Sequence, residues 1–205
     1  MSDRKLWTPS DVVDVSGPSA LLRNYLEQHD VRQYVREAAS VGAISRACDV
    51  GCGFGRLTPV LAEVAVEVTG YEREASLVET ARRLLPNLRF ELVTSLDTLP
   101  ASNASATFVL IFTVLQHMPD AHAEAVLTEV RRVLAPGGHV LLVEETDVTL
   151  EAGDPAHADQ GYTRGRAVGW YAARLRSSSL LRTSPRRIEP GYPRADVGTY
   201  MFFRG

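Results

Sequence analysis

The segment ACDVGCGFGRLT at residues 47–58 decides the fold, because it packs a glycine-rich turn between a strand and a helix. CDV at 48–50 is typical of the end of a buried strand, and LTPVLAEVAV at 57–66 follows as a helix. Three glycines lie between them: Gly51, Gly53 and Gly55. Their backbone can approach a ligand with no side chain intervening, so the segment predicts a nucleotide-type ligand at this turn.

The spacing of the glycines indicates which ligand. The dinucleotide fingerprint is G-x-G-x-x-G, whereas this turn is G-x-G-x-G, with Arg56 where the third dinucleotide glycine would fall. Asp49 stands two residues before the first glycine. A carboxylate there repels a pyrophosphate and suits an ammonium group, which favours S-adenosylmethionine (SAM) over NAD(P). A tight turn without any ligand is the alternative interpretation.

A second acid follows the next strand. VEVTGY at 66–71 is a predicted strand, Glu72 comes directly after it, and a helix is predicted from about 74 to 85. An acid about 20 residues past a glycine turn lies at the tip of the neighbouring strand, where it can accept both ribose hydroxyls. The alternative is a surface acid that caps the following helix.

Four stretches in order resemble the class I SAM-dependent methyltransferases. They are DVGCGFG at 49–55, GYERE at 70–74, VLQHMPD at 114–120 and RRVLAPGGHVLLVEE at 131–145. The last of these is similar to the family's R-x-L-x-P-G-G turn into its fifth strand. Four matches at family spacing are much more specific than any one of them.

The resemblance implies SAM as the cofactor and a set of residues that bind it. These are Asp49, Gly51, Cys52, Gly53, Gly55, Glu72, Arg73, Ser95, Leu96, Phe112 and Thr113. One departure concerns the adenine ring. Where the family often carries an aspartate after strand 3, TSLDTLP at 94–100 has Ser95, with Asp97 two residues on. The Ser95 hydroxyl and the Leu96 N–H are the predicted adenine contacts.

Hydrophobic runs alternate with helical patterns along the chain, as a parallel sheet with crossover helices requires. The five runs are 46–50, 66–71, 88–93, 107–113 and 139–145, followed by a final strand pair at 182–190 and 196–205. We expect an α/β, Rossmann-like, seven-stranded and mostly parallel sheet with an antiparallel edge strand and helices on both faces.

Helices are predicted at 19–42 (one or two), at about 120–134 and at 164–177. The predicted division is an N-terminal helical lid or extension at 1–44 and a class I SAM-dependent methyltransferase domain at 45–205. Trp7 and Tyr25 are candidates to close the cofactor site.

Composition restricts the class of protein. The 205 residues are 45% hydrophobic and 23% charged, with a formal net charge of −3, which is ordinary for a globular domain. The N-terminus has no apolar run typical of a signal peptide, and no stretch approaches the ~20 apolar residues of a membrane helix, so a cytoplasmic protein is expected. Cys48 and Cys52 are too few ligands for a metal site and are expected to be reduced.

Charge also bears on the partners. Only the segment after residue 150 is basic, which leaves two interpretations open: an anionic substrate or a solvated face. No basic stripe with interleaved aromatic residues indicates nucleic acid. The expected partner is therefore a small-molecule acceptor, with the protein a monomer or homodimer.

Methyl transfer from a sulfonium depends mainly on holding the acceptor in line, and a base is needed only if the acceptor must lose a proton. His117, after the fourth strand, is the candidate base, although a His there can also merely pack or cap a helix. Candidate acceptor-binding residues are Glu144, Tyr162 and Arg166, with the long loop at 146–165.

The expected function is methyl transfer to a hydroxyl or amine of a small metabolite, either a natural-product intermediate or a sugar. Two alternatives stay open at this point: a protein that binds SAM or S-adenosylhomocysteine without catalysis, and an NAD(P)-dependent oxidoreductase.

Overall fold

The computed structural model describes residues 18–156, 161–186 and 198–205. In these ranges the α-helices are α1 (Pro18–Val41), α2 (Thr58–Ala62), α3 (Ala75–Leu84), α4 (Asp120–Val133) and α5 (Val168–Arg174). The strands of the same ranges are β1 (Arg46–Val50), β2 (Glu67–Glu72), β3 (Arg89–Leu92), β4 (Ala106–Phe112), β5 (Leu134–Glu144), β6 (Glu151–Ala152), β7 (Thr163–Arg164), β8 (Ser179–Pro185) and β9 (Thr199–Arg204). A 3₁₀ turn, Leu115–His117, follows β4.

Seven of the strands form one sheet in the order β3-β2-β1-β4-β5-β9-β8. β1 to β5 pair in parallel, whereas β9 runs antiparallel to both β5 and β8. The predicted seven-stranded, mostly parallel sheet with an antiparallel strand at its edge is confirmed. The antiparallel strand is β9, one place in from β8, so the last strand of the chain lies inside the sheet.

Both faces of the sheet are covered, which explains why β4 is apolar along its length. One face carries α1 and α2, whose Val31, Tyr34 and Leu61 pack onto the sheet. The other carries α4 and α5, which bury Leu127 and Tyr171 against β4 and β5. The carboxyl ends of the parallel strands therefore meet along one open edge, where ligands of such sheets bind.

Several elements differ from their predicted bounds. The segment 19–42 is one helix, and the helix after the glycine turn ends at Ala62. β5 begins at Leu134 because the Pro136–Gly138 turn is hydrogen-bonded to the C-terminus, with the Gly137 N–H donating to the Gly205 carbonyl at 3.0 Å. β8 begins at Ser179, and the predicted strand residues 187–190 and 196–197 lie outside the described ranges.

The loop predicted at 146–165 contains a two-stranded hairpin, β6 with β7, whose residues 157–160 are not described. This pairing escaped prediction because each strand has only two residues and no alternating pattern. β7 lies against the 3₁₀ turn after β4, so the hairpin borders the open edge of the sheet.

The N-terminal helix packs in two different ways along its length. Its second half is buried, with Val31 and Val35 in the core under the sheet, whereas the Tyr25 side chain is 67% exposed. Trp7, the other predicted lid residue, lies outside the described residues. The division of the chain at residue 44 stays a prediction.

None of the helices in the described ranges is long and apolar enough to cross a membrane. Within the same ranges, His, Cys, Asp and Glu side chains form no cluster of three or more suited to a metal ion.

Candidate functional site

The glycine turn after β1 adopts the geometry that its sequence requires. Gly51, Gly53 and Gly55 all have positive φ, at 73°, 57° and 84°, a region that side chains disfavour. A Cβ on Gly51 would lie 2.5 Å from Cγ2 of Val114, so the turn presses against the segment after β4. The turn is held by the Tyr71 carbonyl, which accepts the Gly51 and Cys52 N–H groups at 2.8 and 3.1 Å.

Asp49 lies beneath this turn and is 3% exposed. Its Oδ2 accepts a hydrogen bond from Thr58 Oγ1 at 2.7 Å, at the start of α2. Burial raises the Asp49 pKa to about 6, and the Thr58 hydrogen bond and the nearby Arg56 charge oppose this rise. A partly desolvated carboxylate of this kind gains most from a cationic partner.

Glu72, at the end of β2, joins the glycine turn to the helix that follows. Its carboxylate accepts the Gly53 N–H at 3.0 Å and the Arg73 and Glu74 N–H groups at 2.7 and 3.0 Å. Glu72 thus ties the glycine turn to the two residues before α3; it is buried and not a surface acid, and its role on the ribose stays a prediction. A carboxylate offers about four acceptor positions, so room is left for one further donor.

The other predicted cofactor residues lie along the same edge. Cys52 is buried with its thiol pKa raised by burial, and Leu96 is buried after β3. The half-buried Ser95 accepts the Asp97 N–H at 3.4 Å. Thr113, just after β4, has a φ of 54° and donates its N–H to the Val143 carbonyl. Leu96, Ser95 and Thr113 follow the carboxyl ends of β3 and β4, beside the glycine turn that carries Cys52, and the roles of these residues in binding stay predictions.

Glu144, a predicted acceptor-binding residue, lies fully buried at the end of β5. Its carboxylate accepts the N–H groups of Val114, Leu115 and Gln116 at 2.9–3.0 Å, which are the unpaired donors of the 3₁₀ turn. Burial raises the Glu144 pKa to about 7, and these three hydrogen bonds oppose the rise. In this structure Glu144 fixes the segment that carries His117.

The hydrogen bonds of His117 define its tautomer. Gln116 Oε1 accepts the Glu145 N–H at 2.9 Å, so Gln116 Nε2 is the donor towards His117 Nε2 at 3.3 Å. The His117 proton is therefore on Nδ1, which donates to the Tyr162 carbonyl at 3.0 Å. The other ring nitrogen, Nε2, faces the side-chain amide of Gln116.

Arg166 and Tyr162, the other predicted acceptor residues, are also buried. The Arg166 guanidinium donates to the Leu115 and Met118 carbonyls and to Asp120 Oδ1 at 2.8 Å. The Tyr162 hydroxyl donates to Glu151 at 3.2 Å. Both side chains are engaged with the protein itself, and a role in acceptor binding stays a prediction for each.

A cluster that sequence reasoning missed lies at the same edge, beside the Phe112 ring. Glu27 of α1 is buried and accepts hydrogen bonds from two arginines: Arg56 Nη1 lies 2.7 Å from its Oε2, and Arg186 Nε lies 2.9 Å from its Oε1. Both guanidiniums also stack on Phe112, with Cζ at 5.2 and 5.1 Å from the ring centroid. Only Arg56, next to the glycine turn, carried a local sequence signal.

Comparison with known proteins agrees with this geometry. Residues 47–138, from the glycine turn to the Pro136–Gly138 turn, match a family model described as "Methyltransferase domain". The chain is similar to the class I SAM-dependent methyltransferases. A SAM-dependent methyltransferase from Leishmania major shares the fold with a TM-score of 0.75 at 17% identity, over 98% of this chain and 79% of that chain.

Two curated proteins resemble this chain in sequence. A demethylmenaquinone methyltransferase of Staphylococcus epidermidis is 32% identical over 130 residues, 60% of this chain and 53% of that protein. A trans-aconitate 2-methyltransferase of Methylobacterium radiotolerans is 32% identical over 146 residues, 70% of this chain and 52% of that protein. The chain thus spans about half the length of these relatives.

Proposed function

We propose that this chain is a class I methyltransferase, which binds SAM at the glycine turn and transfers its methyl group to a small metabolite. The acceptor atom is a hydroxyl or amine, and natural-product intermediates and sugars are the classes we favour. The observation that carries the proposal is the pairing of two buried carboxylates, Asp49 and Glu72, with a turn of three left-handed glycines. The names of the two relatives, which act on demethylmenaquinone and trans-aconitate, support a small-molecule acceptor.

The residues of the turn fit this cofactor. The Asp49 carboxylate, with Thr58 on one oxygen, suits the ammonium of the methionine end. Glu72 has one acceptor position left for a ribose hydroxyl, so engaging both hydroxyls requires the Gly53 or Arg73 N–H to move away. A pyrophosphate would meet two carboxylates here, which disfavours NAD(P).

When bound, the cofactor supplies a methyl group on a positively charged sulfur. The protein's own contribution is to align an acceptor with that group and to exclude water, because proximity and orientation supply most of the acceleration. The segment after β4 is suited to this positioning. Glu144 fixes its backbone by three hydrogen bonds, and Arg166 holds its Leu115 and Met118 carbonyls.

His117 is our candidate for removing a proton from the acceptor. Its Nε2 carries the lone pair, and the Nδ1 proton held by the Tyr162 carbonyl would stabilise the ring after protonation. His117→Ala is expected to reduce turnover by about 10²-fold or more while leaving the affinity for S-adenosylhomocysteine nearly unchanged. His122→Ala, an exposed histidine on α4, is the matched control. Full activity of His117→Ala would assign His117 a structural role.

The cofactor assignment is tested by calorimetric titration with SAM and with NADH. We expect binding of SAM alone, and Asp49→Ala should abolish it, because the ammonium loses its buried counter-ion. Asp97→Ala, a half-buried acid after β3, is the control and should retain binding. Unchanged SAM affinity in Asp49→Ala would refute the assignment.

Methyl transfer itself is tested with labelled SAM and a library of hydroxyl- and amine-bearing acceptors. Transfer to any member supports the enzyme, whereas tight SAM binding with no transfer to the library or to a cell lysate favours a protein that binds the cofactor without catalysis. We also propose that the protein is cytoplasmic, that it is a monomer or a homodimer, and that it has no nucleic-acid partner.

A further inference from the structure

The cluster around Phe112 contains donors that the fold leaves unused. Arg56 makes hydrogen bonds through Nη1 alone, to Asn24 Oδ1 and Glu27 Oε2, so its Nε and Nη2 bind no partner among the described residues. The Tyr200 hydroxyl is buried and likewise makes no hydrogen bond within the described part of the chain. Of these donors the Tyr200 hydroxyl is the buried one, and a buried donor without a partner is costly, which indicates that this space is shaped for something other than the protein.

These donors lie close to one another. The Tyr200 ring is 6.3 Å from the Phe112 ring, which both Arg56 and Arg186 flank. The charged groups of the described residues here are the guanidiniums of Arg23, Arg56 and Arg186 and the carboxylates of Glu27 and Asp30. At the Phe112 ring itself, Arg56 and Arg186 share the single Glu27 carboxylate, and two guanidiniums against one carboxylate favour an anion over a cation.

The position of the cluster indicates which molecule would supply that anion. The proposed ribose ligand, Glu72, is on β2, whereas Phe112 is on β4 and Tyr200 on β9. Four strand spacings separate β2 from β9, which is about 19 Å. The cluster therefore extends from the glycine turn away from the nucleoside, along the half of the edge that is left for the acceptor.

We propose that the acceptor carries a carboxylate, which Arg56 and Arg186 bind over the Phe112 ring with a hydrogen bond from the Tyr200 hydroxyl. Glu27 is a positioning residue, since its carboxylate holds both guanidiniums close to the Phe112 ring. This inference rests on the proposed methyl transfer and narrows its acceptors to hydroxy acids and amino acids.

The chain supplies a matched control. Arg182, on β8, repeats the arrangement farther along α1: its Nη2 donates to Glu37 Oε2 at 2.7 Å, and its Cζ lies 4.5 Å from the centroid of Tyr34. Arg182 is about half exposed and Tyr34 donates or accepts with Ser184, so no buried donor is left over there. Removing Arg182 therefore shows what the loss of an arginine contact with α1 does when no ligand-binding donor is removed with it.

The experiment is calorimetric titration of the full chain saturated with S-adenosylhomocysteine. Two pairs serve as probes, 4-hydroxybenzoate with 4-hydroxybenzamide and malate with malamide. At least one acid is expected to bind about tenfold or more tightly than its amide, since charge-assisted hydrogen bonds distinguish them. Arg186→Gln and Tyr200→Phe should reduce that ratio to about threefold or less, whereas Arg182→Gln should keep it.

Arg186→Gln could loosen α1, because it removes a contact to Glu27. Tyr200→Phe is the second variant for that case: it removes a hydroxyl without a described partner, so the Tyr200→Phe protein is expected to fold normally. Equal affinity for acid and amide, or no binding of any probe, would overturn the inference. A loss of S-adenosylhomocysteine affinity in both variants would also overturn it, by assigning the cluster to the carboxylate of the cofactor. A wild-type protein that fails to bind S-adenosylhomocysteine contradicts the proposed function instead.

Discussion

At the residue scale, Asp49 couples cofactor binding to pH. Its pKa of about 6 means that lowering the pH from 7.5 to 5 protonates most of the Asp49 carboxylate and removes the proposed partner of the ammonium. The affinity for S-adenosylhomocysteine is expected to fall about tenfold over this range. Calorimetric titration at pH 5, 6 and 7.5 measures it.

The control for Asp49 is a ligand that lacks the ammonium. Adenosine affinity should not follow the same pH dependence, because adenosine has no ammonium for Asp49 to bind. A wild-type affinity that stays constant between pH 5 and 7.5 would count against an ionised Asp49 as the ammonium ligand.

Glu144 makes stability depend on pH in a defined direction. Its pKa is about 7 in the folded chain against 4.5 ordinarily, so the folded state binds its proton more tightly than the unfolded state does. The stabilisation is fully present below about pH 4.5 and is lost as the pH rises through 7, by about 3 kcal/mol in all. Urea unfolding at pH 5 and 7.5 measures this loss.

Glu144→Gln is neutral at every pH and should remove this part of the pH dependence. Glu79→Gln, an exposed acid on α3, is the matched control and should retain it. The contribution of Asp49 is common to all three proteins and cancels in the comparison. If the free energy of unfolding depends on pH in the same way for the wild type and for Glu144→Gln, burial does not raise the Glu144 pKa as described.

At the scale of elements, the hairpin at the open edge depends on one close backbone approach. A Cβ on Gly165 would lie 1.8 Å from the Asp147 carbonyl oxygen, so Gly165→Ala must push β7 away from residue 147. Because β7 carries Thr163 and contacts His117, this shift should raise the acceptor Michaelis constant more than the dissociation constant of S-adenosylhomocysteine. Steady-state kinetics and calorimetry give the two values.

Gly169→Ala, four residues along, is the control for Gly165→Ala. A Cβ there meets nothing within 4 Å, and its place in α5 lets alanine stabilise the helix by up to about 1 kcal/mol. Unchanged acceptor kinetics in Gly165→Ala would show that the hairpin has no part in acceptor recognition.

At the scale of the whole molecule, the strand β9 packs against both the helix α1 and the strand β5, which lie far from it in sequence. Phe202 of β9 is fully buried and lies 5.3 Å from Tyr34 of α1 and 5.1 Å from His139 of β5, measured between ring centroids. Phe202→Ala should therefore destabilise the entire fold by about 3–5 kcal/mol, although it is only three residues from the last one. Urea unfolding followed by circular dichroism and by tryptophan fluorescence should give one coincident transition.

Leu181→Ala, on the outermost strand β8, is the comparison for Phe202→Ala. Leu181 is 50% exposed, so its loss should change the free energy of unfolding by less than about 0.5 kcal/mol. Two separate transitions in the Phe202 variant would indicate that β8 and β9 fold independently of the sheet.

Local chemistry explains which features could be predicted. The glycine turn, Asp49 and Glu72 were found because the left-handed backbone needs glycine and because both acids follow apolar strands directly. Hydrophobic runs separated by helical patterns predicted the five parallel strands and the final strand pair. The two-residue strands β6 and β7 have no periodic pattern, so their pairing could not be predicted.

By itself, the sequence determined the individual strands of the sheet, the glycine turn and the two acids beside it, since each of these depends on residues within about 25 positions of one another. Only the tertiary structure decided what Glu144 and Glu27 contact. Their partners lie about 30 to 160 residues away, and no local pattern encodes which buried carboxylate meets which donor. Burial then decides the outcome, because a carboxylate that leaves water must find its donors wherever the fold has placed them.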